Sequence, residues 1–136
     1  MASEAGALAL LRRFGKAFNA GDAAGILECV TDDFEWWLHE GPEAPHGRIV
    51  RGRAALEAEL AARKARYREL RFSETEVTGA GERVVGTFRA RGAHAEGVNG
   101  GAAIDVRGCD LYVLREGRIA RKDSYWKHIV SGDSPT

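Results

Sequence analysis

Two aspartates in the C-terminal half, Asp110 and Asp123, have a spacing that could bring their carboxylates together. Residues 103–115 and 118–130 alternate in polarity and are separated by two turn-forming residues, which predicts a β-hairpin. Counting back from that turn places Asp110 opposite Asp123. Cross-strand Cβ atoms are about 5 Å apart, so two such carboxylates would raise the pKa of one of them and supply a general acid or base.

Two alternatives remain open for this pair. A three-residue turn with a glycine bulge would shift the register by one residue and pair Asp110 with Lys122 or Ser124 instead. In the other alternative, Arg107 and Arg121 neutralise the aspartates on a solvated sheet face or at a dimer contact, because antiparallel sheets often have one face in water.

Histidines and aromatic residues are the other candidates for a site. His39 ends an aromatic run and is a candidate proton-transfer group, although the alternation groups it with Glu35 and Trp37 rather than with the apolar row. His94 lies in a glycine-rich tip, residues 92–102, that could close over a ligand. The aromatic residues that could line an apolar cavity and contact a substrate are Phe14, Phe18, Trp36, Trp37, Phe88, Tyr112, Tyr125 and Trp126.

The elements that must position these groups change from helical to alternating periodicity along the chain. Helices followed by strands favour an α+β domain whose antiparallel sheet curls around helices on one face. In the third helix, Glu59 and Arg63 form an i,i+4 pair. The predicted helices are 3–19, a short one after Asp22 and 53–68, and the predicted strands are 34–39, 70–78, 82–92, 103–115 and 118–130, with a loop over 40–51.

The composition of the sequence limits the classes of partner that the protein could bind. The chain has 136 residues and equal numbers of basic and acidic side chains, 20 of each, so we expect one domain, 1–136, with an ordered core over about 3–130. A net charge of zero argues against binding to nucleic acid or to a membrane. Cys29 and Cys109 have no metal-site or disulfide spacing and fit a cytoplasmic protein. We predict no metal site and no cofactor.

Several motifs together resemble the SnoaL-like family within the nuclear transport factor 2-like superfamily, over nearly the whole chain. The resemblance implies an α+β, cone-shaped fold in which three helices of the N-terminal half pack on a curved antiparallel sheet that encloses a pocket. The motifs that carry it are residues 18–22 (FNAGD), 32–36 (DDFEW), 47–52, 91–94 (RGAH), 106–110 (VRGCD), 117–119 and 123–127 (DSYWK).

Ketosteroid isomerases belong to the same superfamily and use three catalytic groups. Comparison with them finds one of the three in this chain. The resemblance places their catalytic Tyr at Phe14 and their Asp base at Leu38, next to His39. Asp110 matches the aspartic acid that holds the oxyanion. The family's isomerase activity in its usual form therefore lacks two groups in this chain.

The other enzymes of the superfamily also match in part. Limonene-type epoxide hydrolases use an Arg-x-Asp motif where this chain has residues 89–91 (RAR). In SnoaL-type polyketide cyclases, the catalytic Asp of the last strand corresponds to Ser124, one residue from Asp123, and a bulge could bring Asp123 into that position. His94 matches a Gly-Thr-His segment of the same family.

These comparisons lead to one main hypothesis and two alternatives. We expect a small cofactor-independent enzyme, an isomerase, cyclase or lyase, that transfers a proton next to a carbonyl of an apolar polyketide- or steroid-like molecule. Asp110 and Asp123 would supply the acid or base, and His39 would act opposite them. The alternatives are a non-catalytic binding protein for a small hydrophobic ligand and an activity like that of epoxide hydrolases or hydratases. A homodimer through the sheet face, with Leu111 and Val113 exposed in the monomer, is compatible with each.

Overall fold

The structure, a computed structural model, describes residues 4–130, apart from the side chain of Ala80. The predicted start of the first helix and of the ordered core at residue 3, and the ends of the predicted domain at 1–3 and 131–136, lie outside this range. The helices are α1 (Glu4–Ala20), α2 (Ala23–Glu28) and α3 (Gly52–Arg66), the strands are β1 (Val30–Glu43), β2 (Gly47–Arg51), β3 (Tyr67–Ala80), β4 (Arg83–His94), β5 (Ala103–Arg115) and β6 (Arg118–Trp126), and a 3-10 turn spans Asn99–Gly101.

The first helix buries one apolar face against the sheet. Its buried residues recur every three or four positions, so they face the sheet together: Ala7, Leu10, Leu11, Phe14 and Ala17. Asp22 caps α2 as expected, because its side chain accepts a hydrogen bond of 3.0 Å from the backbone N–H of Gly25. Asn19 fastens the end of α1 to β3, since its side-chain amide donates to the carbonyl of Phe72 and accepts from the N–H of Phe72.

The six strands form one curved, open sheet in the order β2-β1-β6-β5-β4-β3. The predicted all-antiparallel sheet is wrong at one place, where β1 pairs with β6 in parallel. The predicted loop over residues 40–51 is also wrong. There β1 continues to Glu43 and pairs with β2 as a hairpin, and the prolines are tolerated because they lie at the turn end of an edge pair. At the C-terminal end, β6 stops at Trp126, four residues before the predicted boundary.

The helices cover the concave face of the sheet, and the core lies between the two layers. Its largest fully buried side chains come from helices and strands alike and include Ile26, Phe34, Leu56 and Ile119. Three helices packed on a curved sheet confirm the predicted α+β fold. Within residues 4–130, no helix combines the length and apolar character that crossing a bilayer requires.

Candidate active site

A bulge in β6 decides which residue lies opposite Asp110. The two-residue turn pairs Arg115 with Arg118 as predicted, but the register shifts at Ala120, so that Val113 lies opposite Arg121. Asp110 consequently pairs with Ser124, and Asp123 pairs with Leu111. The prediction that Asp110 faces Asp123 is therefore wrong, and the alternative register with Ser124 is the one observed. The bulge lies within β6 and not in the turn. A strand can accommodate an extra residue at any point along its length, so the two-residue turn is kept and the register changes beyond it.

Asp110 is a buried carboxylate held by two hydroxyl groups. Its side chain is on the concave side and the residue is 5% exposed. Ser124 Oγ donates a hydrogen bond of 2.6 Å to Asp110 Oδ1, and Tyr112 Oη donates one of 3.1 Å to Oδ2. Ser124 Oγ in turn accepts a hydrogen bond of 3.1 Å from Trp36 Nε1. The carboxylate thus has a fixed orientation with donors on both oxygens. A general base needs such an orientation to take up a proton from a defined direction.

Asp123 lies on the convex side of the sheet, away from Asp110. It accepts a hydrogen bond of 3.0 Å from Tyr125 Oη. Trp37 is on the same side, where its Nε1 donates to Glu35 and the guanidinium of Arg121 lies 4.1 Å from its ring centroid. Two predicted substrate-binding residues, Trp37 and Tyr125, therefore do not face the side on which Asp110 lies, because the strand alternation sends them outward.

Lys122 is the principal site residue that sequence reasoning missed. The bulge turns its side chain inward, where the residue is 5% exposed. Its Nζ lies 4.3 Å from the ring centroid of Phe18 and 4.4 Å from that of Trp36. Burial lowers the pKa of Lys122 to about 8, Asp110 opposes that shift, and the positive charge of Arg63 adds to it. The available signal was the register with the bulge, which places Lys122 in one row with Ser124 and Trp126.

Arg63 is a second cation on the concave side. Its guanidinium carbon lies 5.2 Å from the ring centroid of Phe18, 5.1 Å from that of Trp36 and 5.0 Å from that of Tyr67. Burial lowers the pKa of Arg63. The attraction of the predicted partner Glu59 opposes the effect of burial on the pKa of Arg63, but the hydrogen bonds of the Glu59 carboxylate go to other arginines.

The arginines that bind Glu59 lie on β2 and at the end of α3. Arg48 approaches one carboxylate oxygen of Glu59 at 2.6 Å and Arg66 approaches the other at 3.0 Å. Burial opposes ionisation of Glu59, yet the hydrogen bonds from these two arginines hold its pKa below the usual value. Glu59 therefore joins α3 to β2 and leaves Arg63 to the aromatic rings.

Asp110, Tyr112 and Lys122 line one cavity of about 320 Å³ between α1 and the sheet. Its walls include the predicted residues Phe14, Phe18 and Phe88, together with Phe72. Lys16 and Arg12 also line it, and both are exposed. A largely apolar cavity of this size with a few converging polar groups is typical of a small-molecule site.

A larger groove of about 590 Å³ lies between α2, α3 and the start of β3. It shares Phe18, Asn19 and Phe72 with the 320 Å³ cavity, so these three residues lie between the two spaces. We assign the chemistry to the smaller cavity, because the buried carboxylate and the buried amine both line it.

The two predicted histidines lie outside that cavity. His39 stacks on Trp126 with a centroid distance of 3.8 Å and an interplanar angle of 8°, and it lines a third cavity with Arg63 and Tyr67. Burial lowers the pKa of His39 to about 4, so the ring is neutral near pH 7. His94 lies 5.6 Å from the ring of Tyr67, and its Nδ1 is buried without a hydrogen-bond partner among residues 4–130. Catalytic roles for His39 and His94 stay predictions.

No metal centre is evident in the part of the chain that the structure describes. Within residues 4–130, no three side chains of His, Cys, Asp or Glu come together in a group that could hold an ion. The acidic and histidine side chains of residues 39–46 belong to the β1–β2 hairpin. There His46 packs on Trp37, with 4.2 Å between the ring centroids, and Glu43 accepts from the N–H of Ile49.

The profile of the SnoaL-like domain family matches residues 11–122. A candidate polyketide cyclase from Xanthomonas campestris superposes with a TM-score of 0.78 at 25% identity, over 91% of this chain and 92% of its own. A candidate SnoaL-like polyketide cyclase from Jannaschia sp. CCS1 gives 0.76 at 22% identity, over 91% and 87% of the two chains. TerC, crystallised with polyporic acid, gives 0.71 at 20% identity, over 88% and 90%. No curated protein matches the sequence.

Proposed function

The chain belongs to the family of SnoaL-like domains, and on that premise we propose that it is a cofactor-independent enzyme that moves a proton next to a carbonyl group. Its substrate is a compact apolar molecule of polyketide or steroid character. Isomerisation, aldol-type cyclisation and elimination all begin with this step. The candidate polyketide cyclases among the similar structures support a polyketide-like substrate.

The observation that carries the proposal is the buried Asp110 with hydroxyl donors on both oxygens, at the wall of an aromatic cavity. In our proposal, Asp110 is the base that removes the proton from the carbon beside the carbonyl. Burial raises the pKa of Tyr112 well above its usual value and the nearby Asp110 raises it further, so the phenol keeps its proton and stays a donor. The phenol therefore holds the Asp110 carboxylate in place as a hydrogen-bond donor.

Lys122 is the group that activates the carbonyl in this proposal. Tyr112 lies directly opposite Lys122 in the β5–β6 ladder, so Asp110 is a diagonal neighbour of the lysine at about 7 Å between Cα atoms. A substrate between the two side chains can present its carbonyl to Lys122 and its neighbouring carbon to Asp110. Phe14, Phe18 and Phe88 supply the apolar walls that exclude water.

Hydrogen–deuterium exchange tests the proton transfer without knowledge of the product. The protein is incubated in D2O with 2-tetralone, a bicyclic ketone, and deuterium at the carbon beside the carbonyl is followed by NMR. We expect exchange above the buffer rate, and a loss of about a hundredfold or more for Asp110→Asn. Asp123→Asn, an equivalent change on the convex face, should retain the rate. Equal rates in the wild type and Asp110→Asn would contradict the proposal.

A binding protein without catalysis is the second candidate. Phe14 and Leu38 favour it, because they are apolar where the related isomerases have a Tyr and an Asp. Both residues are buried here, at 3% and 6% exposure. Tetralone that binds equally to the wild type and to Asp110→Asn, with no exchange in either, would support this candidate. The epoxide hydrolase alternative would require the arginine of the motif, which corresponds to Arg89, to act in the site. Arg89 instead donates hydrogen bonds to Asp105 on an exposed surface.

A further inference from the structure

Lys122 differs from every other lysine in the sequence. The chain has four lysines, and Lys16, Lys64 and Lys127 are exposed. Lys122 alone is buried, and it lines the cavity that contains Asp110. Burying an amine costs free energy unless a partner compensates, so a lysine that lies inside a cavity requires a physical reason.

Among the residues that the structure describes, none compensates for the burial of Lys122 by hydrogen bonding or close ion pairing. Within residues 4–130, Nζ has no hydrogen-bond acceptor and no carboxylate within 4.0 Å. Its nearest neighbours are the faces of Phe18 and Trp36. The guanidinium of Arg63 lies near the same two rings and disfavours a second positive charge there. With Lys122 neutral, the positive charge of Arg63 and the negative charge of Asp110 balance within this cluster.

An amine in an apolar cavity beside another cation has the two features that make a lysine nucleophilic. The lowered pKa of about 8 means that roughly a tenth of Lys122 is neutral at pH 7, against far less for an exposed lysine. The unshared electron pair of Nζ then lies at the wall of the space that a substrate would occupy. Nothing in the described chain competes for that pair by donating a hydrogen bond to it.

We propose that Lys122 Nζ forms an imine with the carbonyl group of the substrate. This inference rests on the proposed function and specifies how the carbonyl is activated there. Nζ attacks the carbonyl carbon to form a C–N bond, and one proton passes from the nitrogen to the oxygen to give a carbinolamine. The second proton of the nitrogen then leaves together with the hydroxyl group as water, so that amine and carbonyl become imine and water without any oxidation or reduction.

The surroundings of Lys122 suit the product of this step. Protonation of the imine gives an iminium cation over Phe18 and Trp36. Arg63 opposes this charge as it opposes the ammonium, while the ring faces and the Asp110 carboxylate stabilise it. The iminium withdraws electrons from the neighbouring carbon more strongly than a hydrogen-bonded carbonyl does. Asp110 then removes the proton from that carbon to give an enamine. The carbon takes up a proton again, which restores the iminium, and water hydrolyses the iminium to return the amine and the carbonyl.

Reductive trapping tests the imine directly and needs no turnover. The protein is incubated at pH 7 with 2-naphthaldehyde and sodium cyanoborohydride, which reduces an imine to a stable secondary amine. Peptide mapping by mass spectrometry then gives the labelling rate at each lysine and at the N-terminal amine. We expect Lys122 to be labelled about tenfold faster or more than Lys16, Lys64 and Lys127. Prior addition of 2-methylnaphthalene, which fills the cavity but has no carbonyl, should slow labelling at Lys122 and leave labelling at the exposed Lys127 unaffected.

Two variants separate nucleophilic chemistry from a simple positive charge. Lys122→Arg keeps a cation but cannot form an imine, so the fast label should disappear. Lys127→Met, a matched change at an exposed lysine that does not line the cavity, should leave labelling at Lys122 unchanged. Labelling of Lys122 no faster than that of the exposed lysines would overturn the proposal, as would unchanged deuterium exchange in Lys122→Arg.

The trapping experiment and the deuterium-exchange experiment distinguish a failure of the imine from a failure of the proposed base. If the imine is trapped in both the wild type and Asp110→Asn while neither exchanges deuterium, the proposed base is wrong and the nucleophile stands. If deuterium exchange depends on Asp110 but Lys122 is not trapped, the proposed function stands and the imine is wrong.

Discussion

Ser124 and Asp110 face each other across the β5–β6 ladder, with Ser124 Oγ 2.6 Å from Asp110 Oδ1. The serine also accepts the N–H of Trp36, so it joins a buried aromatic residue of the core to the buried carboxylate. The sequence resemblance implies that the catalytic aspartate of the polyketide cyclases corresponds to Ser124. On that correspondence, a hydroxyl group lies beside Asp110 where those enzymes have a carboxylate.

Ser124→Ala should weaken both the fold and the proposed catalysis. It leaves one oxygen of Asp110 and the indole N–H of Trp36 without their partner, which should lower the free energy of unfolding by about 1 to 3 kcal/mol. Urea denaturation measures this loss. Because the carboxylate loses one of its two restraints, we also expect deuterium exchange to slow by about tenfold. Ser73→Ala, on an exposed part of β3, should change neither quantity, and an unaltered Ser124→Ala would show that the hydroxyl does not position Asp110.

Lys122→Met should stabilise the protein while it removes activity. The folded-state pKa of Lys122, about 8, lies below the usual 10.5, so between these values the unfolded chain binds more protons and wild-type stability rises with pH. The cost of burying the ammonium is fully present below pH 8, where the variant should gain about 2 kcal/mol, and the gain should shrink as the pH rises to 10.5.

Urea denaturation at pH 7 and pH 10 measures the effect of Lys122→Met, with Lys127→Met as the exposed control. The control should stay within about 0.5 kcal/mol of the wild type at both values. A loss of stability at pH 7 in Lys122→Met would contradict the buried, unpaired state of the amine.

His39 should make the fold sensitive to mild acid. Its folded-state pKa of about 4 lies below the usual 6.5, so the unfolded chain takes up this proton first, and stability falls as the pH drops from 6.5 towards 4. His39→Phe keeps a ring to stack on Trp126 and should remove about 2 kcal/mol of that loss at pH 5. Denaturation at pH 7 and pH 5 tests this, with exposed His128→Phe as the control. An imidazole NMR titration with a midpoint near 6.5 would contradict it.

We predict that the convex face forms a homodimer interface. Leu111 is 40% exposed there and Tyr125 51%, and an apolar patch at the centre of a sheet face fits a second copy of the same chain. We predict that light scattering after gel filtration gives the mass of a dimer for the wild type and of a monomer for Leu111→Asp. Val130→Asp, exposed but beyond the sheet, should remain a dimer. A monomeric wild type would contradict this prediction.

Local patterns in the sequence determined much of the fold. The apolar face of α1, the cap at Asp22 and the change from helical to alternating periodicity each arise from neighbouring residues, so they are present before the chain folds. The two-residue turn that pairs Arg115 with Arg118 is local as well. The parallel pairing of β1 with β6 is not, because it joins segments about 90 residues apart in the sequence and nothing within either strand specifies it.

The sequence by itself determined that Asp110 lies among apolar neighbours and that a carboxylate there is a candidate for chemistry. Only the tertiary structure decided what accompanies it. The bulge at Ala120 shifts every later residue of β6 to the other face, which sends Asp123 outward and brings Ser124 and Lys122 inward. Side chains alternate with a period of two, so one inserted residue inverts the faces, and the sequence was compatible with both registers until the packing of the sheet against the helices selected one.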